Sequence, residues 1–315
     1  SIVHDNLRQG IRDALLPALN IRSSAGAVGA MAVSPSGLYL ATAPADGTVR
    51  VWDLKNGLET RRISGLSSAA GAVAINADDT ILAAADDSGA KVWDLVTGKL
   101  LHTLSGHDGP VTALAFGKDA NTLLTGGQDD EIAQWDLTTG DEARRFTAHD
   151  GDIRDIEVSN GVMVSGDETG AVIVWDFDDG EPSDPFGPVT DDEELGAVAL
   201  SADGRYIATG TTDGDIKLWD TDGEEIGRFG SIEGPVGQLN FNADGTKLVS
   251  VGSDNAVTLW SVEDREEVGK FEGHKGGVLG VGFEPRHGRI LSAGNDGIVR
   301  VWDADSGVAL ARLIS

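Results

Sequence analysis

Seven tryptophans recur through the 315 residues at a nearly constant interval, and this period constrains the fold more than any other feature of the sequence. They stand at positions 52, 93, 135, 175, 219, 260 and 302, separated by 41, 42, 40, 44, 41 and 42 residues, and all but Trp260 precede an Asp. Ahead of each Trp the chain alternates as a strand does. Val49/Val51, Val172/Val174, Ile216/Leu218, Val257/Leu259 and Val299/Val301 share one face at period two, and Gln134 breaks the pattern in the third repeat. A short polar turn follows each Trp, and a further strand then carries an apolar anchor ten or eleven residues on: Ile63, Leu104, Phe146, Phe186, Phe229, Phe271 and Leu313. Phe186 has Pro182, Pro185 and Pro188 around it, but its phase marks it as a core residue rather than an exposed hook. Upstream turns such as those at Gly37, Gly204 and Gly245 join two more strands. Each repeat reads as four antiparallel strands.

These in-phase repeats resemble the WD-repeat β-propeller family, with seven blades, over roughly residues 28 to 315. The fold this implies is all-β: a seven-bladed β-propeller with four antiparallel strands per blade. One such blade cannot cover both of its faces alone, whereas a closed ring of seven covers every face. The resemblance also implies a structural tetrad in each blade, made of a His in the loop leading in, a hydroxyl on the second strand, an Asp in the next turn and the Trp. By position blade three supplies His107, Thr125, Asp129 and Trp135, and blade seven His274, Ser292, Asp296 and Trp302. Blade four supplies His149, Ser165 and Trp175, with Thr169 at the acid position and Asp167 close by to compensate. Blades one, five and six keep hydroxyl and acid (Thr42/Asp46, Thr209/Asp213, Ser250/Asp254) without a matching His. Blade two has Ala at the hydroxyl position and only Asp86 and Asp87, with Asp87 at the turn, so it is expected to be the weakest blade.

A His, a hydroxyl and an acid within one blade also compose a nucleophilic triad. The constellation repeats around the ring where a triad is needed once, and no Gly-x-Ser-x-Gly elbow occurs, so the expectation is a protein that is not an enzyme. Cys is absent, which removes disulfides, thiolate metal sites and cysteine nucleophiles. The His residues are scattered, no nucleotide-binding glycine loop is present, and the acidic pairs lack the calcium-loop spacing, so no cofactor and no metal are expected. A formal charge of −28 opposes nucleic acid and anionic membrane as partners, and no apolar run is long enough for a spanning helix. Cytoplasmic localisation is the expectation, and the excess of Arg over Lys (16 to 8) suits a GC-rich prokaryotic source.

The fold itself asks for about a dozen acids, after the Trp residues and in the inter-strand turns. Between Arg154 and Arg205, however, 14 Asp and Glu stand without a single Lys, Arg or His, including the run Asp191, Asp192, Glu193 and Glu194. A solvated loop and a docking surface for a cationic partner both account for it. Propellers of the resembled family bind partners on the face carrying the lead-in loops. The positions just before the first strands there are Pro110, Asp152, Glu194, Pro235 and Gly277, alternately small or apolar and acidic, which suits a peptide carrying Lys or Arg. The leading reading is a non-catalytic protein-protein interaction or scaffold module, a monomeric ring within a larger chain or complex. The alternative is a ligand-sensing or regulatory domain of a larger enzyme. Residues 1–20, with Leu7, Ile11 and Leu15 at spacing four, read as a linker or short helix, and residues 21–315 as the ring. Ile21 and Leu313 are both in phase for the outer strand of blade seven, and the shorter connection favours Leu313.

Overall fold

The computed structural model describes residues 26–177, 179–187, 194–305 and 309–314, and every regular element among them is a β-strand. Seven antiparallel sheets follow one another along the chain, each a meander in which consecutive strands pair. The first strand of each lies innermost: Val28–Val33, Ala72–Ile75, Val111–Phe116, Ile153–Ser159, Leu195–Leu200, Val236–Phe241 and Val278–Glu284. Each inner strand neighbours the next and the seventh returns to the first, so the blades close around a central channel.

The second strands are covered on both faces, and their composition shows it. Ile81–Asp86, with the sequence Ile-Leu-Ala-Ala-Ala-Asp, is buried from its second residue onward. In the third strands alternate residues serve different neighbours: Val49 and Val51 pack towards blade two, whereas Trp52 packs against Leu291, Val299 and Val301 of blade seven. The repeated outer-strand anchors explain the Trp period. Phe146 meets Trp175 at 5.2 Å, Phe186 meets Trp219 at 5.5 Å, Phe229 meets Trp260 at 6.0 Å and Phe271 meets Trp302 at 5.7 Å, each aromatic anchor touching the Trp of the following blade. Such ring pairs stabilise a seam by about 0.5–1.5 kcal/mol beyond the area they bury.

Blade four departs from the four-strand plan. Beside Ile153–Ser159, Val162–Asp167 and Val172–Asp176, its outer place is held by an irregular segment, attached through Trp175 to Pro182 and Val172 to Phe186. Pro182 and Pro185 have no N–H to give a ladder. The segment still protects the strand beside it: Ser183 N–H donates to the Val174 carbonyl, and its hydroxyl accepts the Val174 N–H. In blade seven the outer strand is Ala309–Ile314, paired with Ile298–Asp303 so that Leu313 lies opposite Val299. The linker or helix expected over residues 1–20, and Ile21, lie outside the described residues.

Candidate functional site

In blade three the Trp135 indole N–H donates to Thr125 Oγ1 at 2.9 Å, Thr125 Oγ1 lies 2.7 Å from His107 Nε2, and His107 Nδ1 lies 2.8 Å from Asp129. One set of directions satisfies every group. Trp donates to Thr, the Thr hydroxyl donates to Nε2, and a neutral imidazole donates through Nδ1 to the carboxylate. Asp129 also accepts the Asp108 N–H at 2.9 Å, which ties the lead-in loop to the turn. Blade seven repeats the chain through Trp302, Ser292, His274 and Asp296, with the Lys275 N–H as the extra donor. Burial pushes the Asp129 and Asp296 carboxyls up, but the hydrogen bonds from His and backbone outweigh it and hold both below the ordinary range. Burial pushes the His274 imidazole down, and the adjacent Arg300 guanidinium adds to that effect, which favours the neutral ring.

Blade four is built from a different acid. His149 Nδ1 lies 2.7 Å from Asp167, His149 Nε2 lies 2.6 Å from Ser165, and Trp175 donates to Ser165 at 2.7 Å. Thr169, in the turn, donates its N–H and hydroxyl to the same Asp167 carboxylate. Asp167 ends the second strand, a place held by Gly127 in blade three and Gly294 in blade seven. A Cβ at Gly127 would collide with Asp129 and the His107 ring, and one at Gly294 would crowd His274. The acid therefore comes either from the strand end or from the turn, and in blades three and seven, which use the turn acid, glycine clears the strand end.

The same rule corrects the expectation for blade two. Asp86, not Asp87, is the working acid: it is buried at the strand end and accepts the N–H and hydroxyl of Ser88 and the N–H of Ser67, while Asp87 is exposed. Where His is missing, Leu66 and Ile232 occupy its place and pack into the core. Cations from the strands then pair with the turn acid. Arg50 Nη2 lies 3.0 Å from Asp46 and Lys270 Nζ lies 3.1 Å from Asp254. Arg300 supplements the His of blade seven, donating to Asp296 and to the Gly273 carbonyl. None of these cations stands out in the sequence, because a charged residue beside the Trp series reads there as an outward-facing strand position.

The hydroxyls of Thr125, Ser165 and Ser292 are 0 % exposed and already bonded to indole and imidazole. These three constellations match a catalytic triad in composition but leave no path for a substrate to the oxygen. Among the described residues no group of three or more His, Asp or Glu could hold a metal ion.

Pro110, Asp152, Glu194, Pro235 and Gly277 each immediately precede an inner strand and so ring one end of the channel; Glu194 and Pro235 are exposed and the others half-buried. Beside them lie Arg154, ion-paired to Glu168 at 3.0 Å, and the exposed Leu279. Asp191, Asp192 and Glu193 lie outside the described residues. The 14 acids between Arg154 and Arg205 are not one surface. Asp155 and Glu157 line the channel, Asp167 is buried beside His149, and Asp203 pairs with Arg205 at the opposite end of the ring.

The channel has a volume of about 480 Å³, and Ala and Gly recur along its wall. In register with Asp155 the inner strands of the other blades carry Ala30, Ala72, Ala113, Ala197, Gln238 and Gly280, and in register with Glu157 only Ala and Gly, with Asn240. Asp155, Gln238 and Asn240 each reach the inner strand of the following blade, accepting the N–H of Val198 at 3.1 Å, Val281 at 2.6 Å and Phe283 at 3.3 Å. Burial raises the Asp155 carboxyl to about 7, and burial together with the neighbouring Asp155 raises Glu157 to about 8.

The family model of the WD domain, G-beta repeat, matches residues 19–53, 98–136, 190–220, 223–261 and 265–303, together more than half of the chain. Autophagy-related protein 16 of Arabidopsis thaliana is 25% identical over 228 residues, which span 72% of this chain and 37% of that protein. Target of rapamycin complex subunit wat1 of Schizosaccharomyces pombe is 24% identical over 230 residues, 70% of this chain and 73% of that protein. Among solved structures, the computationally designed Ika8 protein superposes with a TM-score of 0.74 at 28% identity, covering 94% of this chain and 89% of that one. With a matching repeat model, a closed ring of seven blades and the Trp-centred hydrogen-bond chains, this chain belongs to the WD-repeat β-propeller family.

Proposed function

We propose that the protein is a non-catalytic interaction scaffold that docks a partner on the end of the ring carrying the lead-in loops. A basic segment of the partner lies against Asp152 and Glu194, and an apolar neighbour in the same segment lies against Pro235 and Leu279. The observation that carries this reading is the division of that rim, acidic on blades four and five and apolar or small on blades six and seven. Relatives named as a subunit of the target of rapamycin complex and as an autophagy-related protein agree with a scaffold role.

The test replaces Asp191, Asp192, Glu193 and Glu194 together by Asn and Gln. Exposed charges steer encounter more than they hold a fold. The variant should keep its thermal midpoint and lose a protein that the wild type captures from the native lysate, and the wild type's affinity for that protein should fall as salt rises, the Debye length being about 8 Å at physiological ionic strength. Capture of an identical set of proteins by both forms overturns the docking reading. The polar side chains on an otherwise small channel wall favour a second reading, a ligand-sensing domain of a larger enzyme. A catalytic domain encoded in the same gene would support it.

A further inference from the structure

We propose that Asp155 and Glu157 form a proton-sharing latch in the channel wall, which holds blades four and five together while the pair keeps a proton and loosens their seam when the pair loses it. The proposal is independent of where a partner docks. The two carboxyls are two residues apart on one inner strand and line the channel, and in register with them the other inner strands carry mostly Ala and Gly. Asp155 bridges the seam within the channel: Oδ1 accepts the Ile156 N–H at 2.9 Å and Oδ2 accepts the Val198 N–H of blade five at 3.1 Å, while Ser159 and Asn160 bridge it at the far end by donating to the Ala202 and Asp203 carbonyls. A proton shared with Glu157 leaves that acceptor role intact. Two full charges two residues apart on one side of a strand repel each other and draw water towards the seam.

Few neighbouring charges can compensate. On the same strand Arg154 is already paired with Glu168. The adjacent inner strands Val111–Phe116 and Leu195–Leu200 carry no titratable residue, and the paired strand Val162–Asp167 carries only Asp167, which is engaged by His149 and Thr169. Burial raises both carboxyls, the Asp155 charge adds to it at Glu157, and the Val198 and Ile156 N–H bonds oppose it at Asp155, which agrees with a pair still protonated where ordinary carboxyls are not.

The sign follows from linkage. Both carboxyls lie above their unfolded values in the folded ring, so the folded state binds more protons, and the stability this provides is complete at low pH and lost as pH rises through about 7 to 8. His274, held below its ordinary value, acts in the opposite sense and is common to all variants. The experiment compares thermal midpoints of the wild type, Glu157→Gln and Asp155→Asn from about pH 5 to 9, with hydrogen exchange at the Val198 amide. The wild-type midpoint should fall by several degrees relative to Glu157→Gln over that range. The protection factor of Val198, corrected for intrinsic exchange, should drop about tenfold, the effect of one pKa unit, while amides of blades one and two stay constant. Asp155→Asn should flatten the same fall, which keeps the test intact if Glu157→Gln folds poorly. Parallel pH courses in the wild type and both variants overturn the proposal, as does a Val198 protection factor that ignores pH.

Discussion

Moving the acid of blade three from the turn to the strand end tests whether the two places are equivalent. Asp129→Ala leaves the buried His107 Nδ1–H and the Asp108 N–H without their acceptor. An unmet buried donor costs about 1–3 kcal/mol, and because the Asp108 side is solvent-accessible most of the loss comes from the imidazole, so about 2–3 kcal/mol is expected. Gly127→Asp alone should cost about 1–3 kcal/mol, since its Cβ meets Asp129 and the His107 ring and its carboxylate faces a second one. Together the two changes put the acid at the strand end, the place from which Asp167 serves His149 at 2.7 Å in blade four, and relieve the contact with Asp129 while leaving the His107 ring to shift. The double variant should therefore be more stable than Asp129→Ala, with a coupling of about 2 kcal/mol or more against additivity. Urea unfolding followed by Trp fluorescence gives the midpoints and slopes that this cycle needs. Additive losses would refute the interchange of acid positions and leave Gly127 and Asp129 as unrelated features.

Trp302→Ala should cost about 3–5 kcal/mol, because the ring is 2% exposed, stacks on Phe271 and donates to Ser292; the unfolding midpoint measures it. Asp86→Ala should cost about 1–3 kcal/mol despite the missing His and hydroxyl of blade two, since Ser67 and Ser88 lose their acceptor, and a midpoint equal to that of the wild type would refute this. The Asp86, Asp129, Asp167 and Asp296 carboxyls lie below their ordinary values, so the stability they contribute is present above about pH 4 and lost as pH falls below it; acid titration of the unfolding midpoint shows the loss. Deleting residues 309–314 bares the edge of Ile298–Asp303 and should promote self-association in size-exclusion chromatography.

The ring was legible because a spacing near 42 residues, fixed by Trp and an anchor about eleven residues later, is imposed by packing between blades, and packing of that kind repeats. The hydrogen-bond chains of blades three and seven were legible for the same reason. Asp167 and Asp86 were harder to place, because the difference between a strand end and a turn is two residues of register, and register is set by pairing across the sheet. The acidic stretch after Arg154 misled for a physical reason. Antiparallel strands carry residues that are contiguous in sequence to opposite ends of the ring, so charges crowded in the sequence part company in space. Asp155 and Glu157 were hidden by the period-two pattern, which separates the two sides of a strand but does not tell a channel wall from a solvent face.

The varied supports beneath the Trp residues have a consequence for how the chain reaches its ring. Seven similar meanders could exchange partners during folding, and misassembly between neighbours is the characteristic failure of repeat proteins. Here the units close with differing fittings, shared only by blades three and seven among those described: His with a turn acid, His with a strand-end acid, a strand arginine, a lysine from the outer strand, or an aliphatic plug. A lead-in loop carrying Ile232 brings no imidazole to Thr125, and one carrying His107 would set a ring against the place that Lys270 and Asp254 have already filled. Divergence among the repeats thereby tells most meanders apart, and a lead-in loop set against an unlike blade loses hydrogen bonds that the right one keeps.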